Sequence, residues 1–110
     1  MISNIQGTVA RFCQVLLTTS SQKVYTAKSD GLSIILDVNA CNVGATLKNM
    51  SIFINTADDA HCLMHHADIA SGSTYRANQM FVVLNKNDSL YAVSNADSVI
   101  VLTICGVERV

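Results

Sequence analysis

From Lys23 to Val107 apolar and polar residues alternate in short runs, broken about every ten positions by small clusters of Asn, Asp, Ser and Gly. This period of two is that of strands with one buried face, and the regular breaks are those of an antiparallel sandwich or barrel. Leu32, Ile34, Leu36, Val38 and Ala40 share one parity, and Ser33, Asp37, Asn39 and Cys41 share the other. Leu47 to Asn55 repeats the pattern, with Met50, Ile52 and Ile54 opposite Asn49, Ser51, Phe53 and Asn55. The turn Asn42 to Thr46 lies between these two runs, which are therefore expected to pair as a hairpin. Further runs, at Lys23 to Ala27, His61 to His66, Met80 to Leu84, Ser89 to Val93 and Val99 to Val107, bring the count to eight or nine short strands. Thr8 to Leu17 has helix-like spacing at Phe12, Val15 and Leu16, but its β-branched and aromatic content and the lack of a stop signal favour a strand. The expected fold is all-β: an antiparallel, jelly-roll-like β-sandwich over residues 8–110, preceded by an arm of residues 1–7.

A chain of 110 residues supports one core. Charged residues make up 14% of it, against about 25% in an ordinary soluble domain, and apolar residues make up 50%. A net charge of −1 adds little repulsion, so the surface is expected to associate with copies of itself as a homo-oligomer. Proline is absent, which leaves bulges, charges or neighbouring subunits to shield the sheet edges. Seven basic and eight acidic residues without a basic stripe give no footprint for nucleic acid. The apolar run Val99 to Val107 is about half a bilayer span, and no basic segment leads into an apolar one near Met1, so synthesis in the cytoplasm and no membrane partner are expected. Cys13, Cys41, Cys62 and Cys105 are spaced by 28, 21 and 43 positions, too far apart for a structural zinc or redox motif, and are expected to be buried free thiols.

One segment carries metal-ligand chemistry: His61, Cys62, His65 and His66, in HCLMHH. On a regular strand His61 and His65 share a face with Leu63 while Cys62 and His66 share the other with Met64, so at most two ligands converge. His61 and His65 are thus weak metal candidates, completed only if symmetric copies each contribute a histidine; no cofactor is expected. Asp58, Asp59 and Asp68 lack the spacing of a calcium loop and are expected as solvated loop residues, and Asp88 and Asp97 as caps of their own Asn-rich turns. Ser71-Gly72-Ser73 is not a nucleophile elbow, and the five glycines, Gly7, Gly31, Gly44, Gly72 and Gly106, are scattered singly and form no phosphate loop. Catalysis is not expected. Tyr25, Tyr75, Tyr91, Phe12, Phe53 and Phe81 are too dispersed for a sugar-stacking platform. Phe53, on the parity opposite Ile52 and Ile54, is either an exposed apolar contact or part of the core. Together with Met1, Ile2 and Ile5 of the arm it completes the set of candidate interface residues.

Several passages resemble small structural proteins of tailed bacteriophage particles. They are Val24-Tyr25-Thr26-Ala27 before a Gly turn, Ile34 to Asn42, Leu63-Met64-His65, Ile69-Ala70-Ser71-Gly72-Ser73, Val83-Leu84 followed by Asn87-Asp88-Ser89-Leu90-Tyr91-Ala92-Val93, and Val99 to Val107. The likeness spans Lys23 to Val107, and the chain departs from it where Lys28 to Gly31 and Ile69 to Gly72 replace loops that begin with proline in that group. The resemblance implies a virion protein without catalysis, either a capsid decoration or cement protein or a tail or baseplate component. Its expected partners are major capsid or tail proteins and its own copies, as trimers or dimers, trimers foremost, for a decoration protein and as rings of three or six for a tail component. A carbohydrate- or receptor-binding module of a tail fibre is the alternative.

Overall fold

The computed structural model describes residues 7–28 and 31–108. Nine strands follow in order: β1 (Thr8–Leu16), β2 (Gln22–Thr26), β3 (Ser33–Asn42), β4 (Lys48–Ile54), β5 (Cys62–Ile69), β6 (Thr74–Ala77), β7 (Val82–Leu84), β8 (Ser89–Ser94) and β9 (Ile100–Glu108), with one 3₁₀ turn at Asp59–His61. They form two antiparallel sheets, one ordered β1-β9-β3-β6 with β7 also on β3, the other β2-β8-β4-β5. Because β6 and β7 occupy successive stretches of the same edge of β3, they count as one broken strand. What remains is the two-sheet jelly roll, in which neighbours in sequence alternate between sheets except β4 and β5, which pair with each other.

That alternation corrects the expected hairpin of β3 and β4. Residues 43–47 carry the chain across the sandwich from β3, bonded to β9, β6 and β7, to β4, bonded to β5 and β8. Both runs are apolar on one face, and packing those faces against each other buries more apolar surface than laying them side by side. Ile35, Val38, Ala40, Met50, Ile52, Leu84, Leu90, Ala92, Ile100, Leu102 and Ile104 meet there as the core.

Bulges decide which residues point inward. Against β9 the register of β1 slips between Arg11 and Cys13, and that of β3 slips between Ile35 and Asp37. An extra residue reverses the parity beyond it. In β1, Ala10 and Phe12 before the slip and Cys13, Val15 and Leu17 after it all pack on the core. The three-residue step from Phe12 to Val15 therefore comes from a bulge, not a helix. In β3 the parity expected from the sequence holds only for Val38 and Ala40; upstream, Ile35 and the buried Ser33 face the core, while Ile34 is buried but lies outside the core cluster. Gly106 sits between the two bulges, where a Cβ would strike the Ile34 carbonyl oxygen and lie 2.8 Å from Phe12 Cζ. Only glycine lets β1, β9 and β3 approach this closely.

Polar groups close both ends of the sandwich. At one end the Tyr25 hydroxyl donates to Glu108 Oε2 at 2.7 Å and lies 3.0 Å from Ser33 Oγ, while the Tyr25 ring stacks on Phe12 with centroids 4.2 Å apart. At the other end fully buried Asn42 donates through Nδ2 to the carbonyls of Thr46 and Ile69 and accepts the Gly44 N–H on Oδ1. Every hydrogen-bonding group of that amide thus has a partner, as burial requires.

Candidate functional site

The outer face of the β1-β9-β3 sheet presents ordered rows of side chains, because cross-strand partners share a face. Val9, Val107, Ile34 and Val83 form one row across four strands. Leu16, Val101, Cys41 and Thr74 form another at the far end. Between them lie two polar rows, one of Arg11, Cys105 and Asp37, the other of Gln14, Thr103, Asn39 and Arg76. Arg76 Nη2 is 3.5 Å from Asp37 Oδ2, and Asp37 Oδ1 is buried without a hydrogen-bond partner. The apolar rows stay open to solvent at their ends: Val9 is 82% exposed, Leu16 46% and Val83 44%, with Phe81 beside Val83 also exposed. The outer face of this sheet thus carries a polar waist between two apolar bands.

The sheet edges differ in how they are protected. β5 slips twice against β4, between Met50 and Ile52 and again between Ile52 and Phe53. The slips place Leu63 and Met64 together against the core and His65 and His66 together on the exposed side, their rings stacked at 4.0 Å. This corrects the expected alternation of histidines with Leu63 and Met64. His66 has φ 46, the left-handed region, and its N–H donates to Ser51 Oγ at 2.9 Å. β2 is five residues long with a slip of its own, and β6 and β7 are four and three residues. β1, at nine residues with one slip and Arg11 as its sole charge, pairs with β9 alone.

His61 belongs to the 3₁₀ turn. Asp58 caps that turn by accepting the His61 N–H, and its Oδ1 is 2.6 Å from His61 Nδ1. The hydrogen bond from the imidazole holds the Asp58 carboxyl below its ordinary range. His65 Nδ1 is 3.8 Å from Asp59 Oδ1, so each of the two histidines faces a different aspartate. Among the described residues no three His, Cys, Asp or Glu side chains gather in a set able to hold a metal. The remaining acidic loop residues act as caps: Asp88 Oδ2 accepts the Asn85 N–H within its own turn, whereas Asp97 Oδ1 accepts from Thr19 in a neighbouring loop.

Phe53 is 7% exposed and so does not serve as an open contact. It lies in the middle of an outer row on the second sheet, with Tyr91 on one side and Cys62 on the other. Beyond Tyr91, Lys23 Nζ stands 5.9 Å from its ring centroid. Its neighbours on both flanks, and its place on an inner strand, cover the ring. Met1, Ile2 and Ile5 lie outside the described residues. All four cysteines are free and half-buried, and burial pushes the Cys13 thiol up to about 11, away from thiolate chemistry. The exposed apolar residues Val9 and Leu16 escape notice in the sequence because the bulge in β1 hides that they share a face.

No cleft suited to a small ligand is found among the described residues. No protein-family model matches the chain, and no curated protein matches it either.

Proposed function

We propose that this chain is a non-enzymatic structural component of a phage-type particle, a capsid decoration or tail element, that works by burying its outer sheet face against its own copies and against other virion proteins. The observation that carries this reading is the banded outer face of the β1-β9-β3 sheet, with Val9, Leu16 and Val83 exposed in a chain with only 14% charged residues. Supporting it is the jelly-roll topology, an architecture used by viral capsid and lectin domains. Repeated contacts on a symmetric particle add through multivalency even when each one is weak. The passage that resembles virion proteins, Val83-Leu84 to Val93, forms β7, an Asn-rich turn and β8. The carbohydrate-binding alternative has less support, since Phe12 and Tyr25 stack on each other and Phe53 is covered.

The test is mass spectrometry of purified particles separated into heads and tails, alongside sedimentation of the purified protein. Stoichiometric presence in one fraction and concentration-dependent association are expected. Absence from both fractions with glycan-array binding would replace this reading with the receptor-binding one.

A further inference from the structure

We propose that a second copy of this chain adds to the open edge of β1, antiparallel and across a twofold axis between Phe12 and Cys13. The inference rests on the self-assembly reading above and names its interface. β1 is the one long edge strand left without a double slip or a break, and among the described residues its outer edge has no strand partner. An unpaired row of backbone N–H and C=O groups of this length is a template for another strand.

The bulge selects the register. Opposed residues of an antiparallel pair share a face. Val9 and Leu16 have opposite parity, and in an unbulged strand they would point to opposite faces; the slip at Phe12 places both on the outer face. A twofold between Phe12 and Cys13 then sets Val9 opposite the partner's Leu16, Ala10 opposite the partner's Val15, and Arg11 opposite the partner's Gln14. The apolar row Val9, Val107, Ile34 and Val83 runs on into the partner's Leu16, Val101, Cys41 and Thr74, and the polar rows likewise meet end to end. Ala10 and Val15, which pack on the core in each copy, meet beneath them. Sliding the strands by two residues puts Val9 on Gln14 or Arg11 on Leu16, matching apolar with polar. A second copy of this chain meets these demands because its own β1 carries the complementary order. The operator makes the unit a dimer, the second of the two states expected for a decoration protein, rather than the trimer expected foremost.

The experiment is sedimentation equilibrium on the full chain and two double variants, with circular dichroism confirming the fold. Both substituted positions are exposed, at 82% and 46%, so the folded monomer tolerates them. Val9→Lys with Leu16→Lys places like charges opposite each other twice, and Kd for the dimer should rise about tenfold or more. Val9→Lys with Leu16→Glu creates two opposite-charge pairs in the same register, and Kd should return to within about threefold of the unsubstituted chain. Equal association by both variants overturns the proposed register. Association unaffected by either variant places the interface elsewhere on the surface and overturns this inference while leaving the assembly reading intact. A monomer at all concentrations for the unsubstituted chain overturns both.

Discussion

β1 and β5 are both edge strands of similar length, nine residues and eight, yet they meet solvent in opposite ways. β5 slips twice, holds His66 at φ 46 and turns two stacked imidazoles outward, so no straight strand can be laid beside it. β1 slips once, carries one charge and leaves Val9 and Leu16 bare. A chain without proline is left with bulges, charges, short strands or neighbouring subunits to blunt its edges. This chain does so at β5, β2 and the broken β6–β7 edge, and keeps β1 nearly regular. An edge that is protected and one that is available can thus be told apart in a single copy by counting slips and charges along each.

The comparison breaks most completely at Gly106, on which the seat of β1 depends. Gly106→Ala drives a methyl into the Ile34 backbone and Phe12, and we expect destabilisation of at least about 3 kcal/mol in urea unfolding, with loss of β1 pairing. Next comes the far end of β5, held by Asn42. Asn42→Ala strands the Ile69 and Thr46 carbonyls and should cost about 2–3 kcal/mol, with faster amide exchange near Ile69 as the local readout.

Tyr25→Phe sharpens the β1 side, since it keeps the stack on Phe12 and removes the hydroxyl from Glu108 and Ser33. The expected cost is about 1 kcal/mol. Burial, opposed by the Ser33 bond and reinforced by Glu108, raises the Tyr25 pKa from 10.0 to about 12. The folded state therefore holds this proton where the unfolded chain has released it; the associated stability is complete below pH 10 and is lost as pH rises toward about 12. Denaturation followed across that range should show the decline in the parent and a smaller one in Tyr25→Phe. The smallest effect is at the β5 bulge, where His66→Gly relieves the left-handed backbone. A gain of about 0.5 kcal/mol, or ~2–4 °C in melting temperature, is expected. Because the double slip remains, sedimentation should show no new association.

Fold class was legible because β4 obeys the simple rule: Met50, Ile52 and Ile54 all pack inward as their parity demands. Half of β3 obeys it too. What stayed hidden lies next to bulges. Ile34 and Ile35 are chemically interchangeable, and it is Ile35, at the slip of β3 against β9 beside Gly106, that enters the core. The same holds for HCLMHH, where alternation is broken by extra residues that β5 carries against β4. The β3–β4 hairpin failed because two strands with apolar faces pair side by side or stack face to face with identical patterns, and β9, far away in the chain, took the place beside β3. The candidate surface was legible as a deficit of charge, but its location was not, since Val9 and Leu16 look like opposite faces until the slip is known.

The central position of β9 has a consequence for how the molecule comes into being. Thr8 pairs with Glu108, so β1 has no neighbour in its sheet until β9, the last of the nine strands, is in place. Such distant pairings make closure slow, on the order of milliseconds to seconds for sheets of this kind. A translation product halted before Ile100 would leave β1 without a strand partner and one edge of β3 unpaired. The continuous outer face of this sheet therefore exists only once β9 has taken its place between β1 and β3.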